Sequence, residues 1–102
     1  IPPTGDEAIW RMQTLESEIR RPGVRRLALF GSVLRNEARP GSDVDVLVEF
    51  TATEKTFDRF MALADLLEGT LEHPVELVTT ESLSPFIGPR ILAEAKDVLR
   101  AA

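Results

Sequence analysis

The stretch from Val24 to Phe50, VRRLALFGSVLRNEARPGSDVDVLVEF, decides how this chain folds. Val24 to Phe30 is a β-rich run that ends on Phe30-Gly31-Ser32. An apolar strand that stops on Gly-Ser predicts a tight turn into a short helix, here over Ser32 to Glu37. Arg39-Pro40-Gly41-Ser42 reads as a turn. Asp43 to Phe50 then alternates, with Val44, Val46, Val48 and Phe50 on one face and Asp43, Asp45, Leu47 and Glu49 on the other.

The flanks read as helices and one further strand. Thr4 and Glu7 have the spacing of a capping box. Ile9, Met12, Leu15 and Ile19 behind them form one apolar face, so a helix is expected over residues 6 to 20, stopped by Pro22-Gly23. Thr56 to Glu68 carries Phe57, Phe60, Met61, Ala64 and Leu67 at helical spacing, with Gly69 placed to cap the C-terminus. Pro74 to Thr79 is a third, short strand. A last helix is expected over Arg90 to Arg100, with Ile91, Leu92, Ala95 and Val98 turned inward and Pro89 in its first turn. The alternation of helix and strand predicts an α/β (α+β) fold. It is a small mixed sheet with helices packed on one face, and the face bearing Asp43 and Asp45 is left open.

The 102 residues fit one domain spanning 1–102, with one packed core. Seventeen acidic residues against twelve basic ones give a net charge of −5, which argues against non-specific nucleic-acid binding. There is no cysteine and a single histidine, which excludes disulfides, thiolate catalysis and Cys- or His-rich metal sites. The longest apolar run, Phe60 to Ala64, is far too short for a membrane span. The chain begins at Ile1, so its N-terminus reads as trimmed, and with no signal-peptide pattern a cytoplasmic location is the default. Trp10 falls off the first helix's apolar stripe and is expected to cover the edge of the core. His73 is expected to be a solvated loop residue. Arg20, Arg21, Arg25 and Arg26 form a small basic patch of the kind that is usually solvated.

Chemistry concentrates on three features. Asp43 and Asp45, two apart in a strand, project from one face roughly 6–7 Å apart along the backbone. Such like charges repel unless a cation lies between them, and their hard oxygens suit Mg²⁺ or Mn²⁺. An Asp pair at a strand start also serves as a turn cap, so the pair alone leaves both readings open. Gly31-Ser32, at the entrance to a helix, offers free N–H groups and a hydroxyl to an anion, and Gly31 lets the backbone approach a phosphate closely. Arg35, one turn on, is placed to clamp a phosphate oxygen or to pair with Glu37 or Glu49. Glu76, the only charge in Pro74-Val75-Glu76-Leu77-Val78, falls in a strand expected beside that of Asp43. A carboxylate there can ligate a metal and accept a proton from an attacking hydroxyl. The alternative is a glutamate on an exposed strand face.

Leu29-Phe30-Gly31-Ser32-Val33-Leu34-Arg35 followed by Gly41-Ser42-Asp43-Val44-Asp45-Val46-Leu47-Val48 resembles the nucleotidyltransferase superfamily that includes DNA polymerase β. Its signature is Gly-Ser, ten residues, then Asp-x-Asp. From Val24 to about Val98 the chain is similar to the smallest branch, the minimal nucleotidyltransferase antitoxins. The resemblance implies that Gly31 and Ser32 hold the phosphates of ATP, and that Asp43, Asp45 and Glu76 bind Mg²⁺ or Mn²⁺ and carry catalysis. It also implies a HEPN-domain toxin as partner and transfer of AMP to a hydroxyl of that toxin, a tyrosine in some members. The family more often has Asp where this chain has Glu76, and relatives tend to carry charged residues where it has Gly88-Pro89. A longer carboxylate at position 76 leaves room for an antitoxin that neutralises its toxin by contact alone.

Overall fold

The computed structural model describes residues 1–51, Thr53 and residues 55–100. Helix α1 (Gly5–Gln13) opens with both halves of the capping box: Glu7 N–H donates to Thr4 Oγ1 at 3.1 Å, and Thr4 N–H donates to Glu7 Oε1 at 3.4 Å. The single helix expected over residues 6 to 20 is instead two, with α2 (Glu16–Arg20) following a break at Thr14-Leu15. At the break the Thr14 hydroxyl donates back to Arg11 O at 2.6 Å, a bond that bends helices. Met12 and Ile19, on either side of the break, are both fully buried.

Strands β1 (Val24–Phe30) and β2 (Val44–Phe50) pair antiparallel, joined through helix α3 (Gly31–Leu34) and a turn. Helix α4 (Phe57–Leu71) carries the chain across to β3 (Val75–Thr79), which lies parallel to β2. Helix α4 runs through Gly69, the expected cap, and ends at Glu72 in the left-handed region with φ 51°. One more turn buries Leu71 in line with Leu63 and Leu67. Burying a leucine is worth about 1.5–3 kcal/mol, more than the ~1 kcal/mol cost of a mid-helix glycine. The buried stripe is therefore rotated from the expected one. Phe57 and Met61 are exposed, and Phe60 packs at the margin.

The largest departure is at the C-terminus. Helix α5 (Gly88–Glu94) is short, with Pro89 in its first turn, and the chain then becomes strand β4 (Lys96–Arg100), antiparallel to β1. The expected helix to Arg100 satisfied the apolar periodicity, but it would leave the outer edge of β1 without hydrogen-bond partners. Pairing Leu27 with Leu99 fills that edge and buries Val98 and Leu99, while Asp97 takes an ion pair from Arg26 at 2.7 Å. Leu92, expected inward, is left exposed.

The result is a mixed four-stranded sheet, ordered β3-β2-β1-β4 among the described residues. The main core lies on one face of the sheet, where α1, α2 and α4 meet Leu27, Leu29, Val44, Val46 and Val48. On the other face Ala28, Phe30 and Leu47 form a smaller cluster under Leu83, Ile91 and Ala95, so α5 covers part of the face expected to be open. The rest of that face carries the acidic residues. Trp10 does not cover the core edge; it is 67 % exposed. In the basic patch Arg20, Arg25 and Arg26 each pair with an acidic side chain of this chain. Among the described residues, no helix is long and apolar enough to cross a membrane.

Candidate active site

Register places the acids. Asp45 lies opposite Phe30 of β1 on one side and opposite Glu76 of β3 on the other. Asp45 and Glu76 therefore project from the same face of adjacent strands. Asp43 stands just before β2, exposed, with its charge felt by Asp45. Two contacts fix this end of the sheet. Val44 N–H donates to Pro74 O at 2.9 Å, and His73 Nε2 lies 2.6 Å from Ser42 O. A carbonyl can only accept, so Nε2 carries the proton. His73 is thus half-buried and structural rather than the solvated residue expected.

Gly31 is the residue on which the site turns. Its φ is 76°, and a Cβ there would press on the Asp45 side chain, 2.9 Å from Cγ and 3.1 Å from Cβ, with Oδ2 closer still. Only glycine lets the β1–α3 turn lie flat against this carboxylate. Ser32 follows, half-buried. Beside the turn, Phe30, Val78, Leu83, Ile87 and Ile91 wall a cavity of about 360 Å³ with Asp45 and Glu76 on its lining.

Electrostatics mark Asp45. Its carboxyl is pushed up to about 7, first by burial, then by the Glu76 carboxyl within hydrogen-bonding reach and by the charges of Glu76 and Asp43; Arg35 opposes the shift. An unfolded aspartate releases its proton near 3.8, whereas the folded one keeps it to about 7. The fold therefore has the most stabilisation from this group below about pH 4 and loses it as pH rises to 7. In urea unfolding with EDTA present, the chain should lose stability relative to Asp45→Asn between pH 4.5 and 8. A constant difference across that range would refute the assignment.

These hard-oxygen donors, crowded enough to hold a proton near neutrality, fit a divalent cation. Among the described residues no three Asp, Glu, His or Cys side chains form a preassembled metal cage. Mg²⁺ is commonly held by only one or two carboxylates, with substrate phosphates supplying the rest, so the arrangement suits a metal that arrives with a nucleotide.

The structure brings Gly31, Asp45 and Glu76 together, with Arg35 near enough to lower the Asp45 pKa and Asp43 at the rim. Of the partners read for Arg35, Glu37 is correct at 2.9 Å, but Glu94 replaces Glu49. Glu94 was missed by sequence reasoning. One carboxylate oxygen accepts from Arg35, and the other accepts from Gly31 N–H at 3.2 Å. No local pattern signals it, because its approach depends on how α5 lies across β1.

A family model described as a nucleotidyltransferase domain matches residues 12–98, nearly the whole sheet and its helices. The chain belongs to this family. This nucleotidyltransferase is 40 % identical over 74 residues to the protein adenylyltransferase MntA of Thermococcus cleftensis, an alignment covering 72 % of this chain and 74 % of the relative. Its fold is similar to a solved structure described as a candidate minimal nucleotidyltransferase, with a TM-score of 0.79, 34 % identity and coverage of 91 % of this chain and 94 % of that one. It also shares its fold with a solved complex of a tri-AMPylated Shewanella oneidensis HEPN toxin and its MNT antitoxin. There the TM-score is 0.64, with 19 % identity and coverage of 96 % and 74 %. The nucleotidyltransferase class implied by the resemblance and the mixed sheet expected from the alternation of helix and strand therefore hold.

Proposed function

We propose that this nucleotidyltransferase is a minimal, one-domain antitoxin, residues 1–102, that transfers AMP from ATP to a tyrosine hydroxyl of a HEPN-domain toxin. The observation that carries the reading is the contact of the Gly31 turn with Asp45, beside Glu76. A phosphate donor and a carboxylate pair in one place are what nucleotidyl transfer needs. The relatives named for protein adenylylation and for a HEPN toxin partner support the acceptor class.

In this reading the Gly31 N–H and the Ser32 hydroxyl donate to phosphate oxygens of ATP, and Arg35 pairs with another. Asp43 and Asp45, with Glu76, would hold Mg²⁺ or Mn²⁺ by their carboxylate oxygens. When bound, the metal supplies charge neutralisation to the triphosphate. Glu76 faces the acceptor side and takes the hydroxyl proton as the hydroxyl oxygen bonds to the α-phosphorus. The bond from the α-phosphorus to the bridging oxygen breaks, and pyrophosphate leaves.

The test is incubation with ATP, Mg²⁺ and the protein encoded beside it, read by intact mass. The expected result is AMP added to a tyrosine of the partner, lost in Asp43→Ala. A tight complex that neutralises the toxin with no added mass would show inhibition by contact instead. That second reading draws on the exposed Glu76, one methylene longer than the aspartate more usual in the family.

A further inference from the structure

The phosphate cradle is already occupied by a side chain of the same protein. Glu94, the last residue of α5, spans the two donors assigned to ATP: Oε2 accepts from Gly31 N–H at 3.2 Å and Oε1 accepts from the Arg35 guanidinium. The Glu94 side chain is 25 % exposed; its bond from Gly31 N–H is partly buried in the turn, and its bond from Arg35 faces solvent. A carboxylate bridging a backbone N–H and a guanidinium uses the same hydrogen-bond chemistry as a phosphoryl group. Both cannot hold these donors together, and a phosphate brought against a carboxylate would be repelled.

From this geometry we infer that Glu94 is an internal substitute for a nucleotide phosphate, which ATP must displace to reach the Gly31 turn. The inference rests on the reading of Gly31 and Arg35 as the phosphate cradle. A landing place for the displaced carboxylate exists on the same helix. Arg90 lies one turn back, at the i,i+4 spacing that suits an ion pair, and its charge already acts on Glu94. A switch of Glu94 from Arg35 to Arg90 would free Arg35 and the Gly31 N–H in one movement. Glu94 is thus a positioning residue that lowers affinity for the triphosphate and keeps the cradle satisfied while it is empty.

Glu94→Gln keeps the shape and the acceptor for Gly31 N–H but removes the charge. Titration calorimetry with Mg²⁺–ATP should show binding tightened by about tenfold, with adenosine, which has no phosphate, unchanged. Equal ATP binding by both proteins would overturn the inference and leave the nucleotidyltransferase chemistry standing. No ATP binding by either would overturn both. Weaker ATP binding in the variant would mean that Glu94 supports the cradle rather than competing for it, and would also overturn the inference. A readout in the unmodified chain does not depend on the variant folding. The Glu94 carboxyl carbon resonance should move on addition of inorganic pyrophosphate with Mg²⁺, and an unmoved resonance at saturation would refute displacement.

Discussion

Asp45→Asn is expected to reduce nucleotidyl transfer on the order of a thousandfold while leaving the fold intact or firmer. Asparagine keeps the outline of the side chain between Phe30 and Glu76 but removes the charge proposed to hold a cation. Losing a charged group that stabilises a phosphoryl transition state costs about 10²–10³ or more in rate. Stability should move the other way. The Asp45 carboxyl sits half-buried beside Glu76 and is pushed up to about 7, a sign that its ionised form is disfavoured in the folded chain. Removing that charge relieves the repulsion, so the midpoint of thermal unfolding at pH 8 in EDTA should rise or hold. Opposite signs for activity and stability are the mark of a residue kept for chemistry. Transfer within tenfold of the parent, or a clear fall in the unfolding midpoint, would show that Asp45 serves packing instead.

Gly31→Ala carries the second large effect, for two separable reasons. The backbone at φ 76° suits glycine, and an L residue there costs about 1–2 kcal/mol. The added methyl would also collide with the Asp45 carboxylate, so Asp45 must swing away from the turn it now touches. A displacement of about 1 Å at reacting groups can cost about a hundredfold, so transfer should fall by at least about that much, well beyond what the stability loss explains. Unfolding and transfer measured on the same preparation separate the two effects. A variant that is folded at assay temperature yet keeps more than a tenth of its transfer would show that the Gly31–Asp45 contact is not needed for turnover.

The parts of the site that lie close together in sequence were legible there. Gly31-Ser32 and Asp43-x-Asp45 flank one turn, and their character follows from strand alternation and from glycine's freedom at positive φ. Glu76 was legible as the lone charge in an apolar strand, because a short parallel strand after α4 has few places to go but beside β2. Glu94 was not. Its carboxylate reaches Gly31 across 63 positions of sequence, and nothing in Arg90-Ile91-Leu92-Ala93-Glu94 says which residue faces the turn.

The C-terminal segment shows the same limit. Ile91, Leu92, Ala95 and Val98 fit a helical period, and the chain follows that period only as far as Glu94. Beyond it the open edge of β1 offers hydrogen bonds to a strand; Lys96, Asp97, Leu99 and Arg100 pair with it, and Val98 and Leu99 become buried. Gly69 likewise reads as a helix stop, until the groove that receives Leu71 is known. Local sequence determined the order of the first elements, the strand faces and the placement of Gly31 and Asp45, because these depend on backbone freedom and side-chain period within a few residues. Tertiary structure decided where α4 and α5 end, the fourth strand and the hold of Glu94 on the cradle. Those outcomes depend on unpaired edges and cavities that exist only once distant segments have packed.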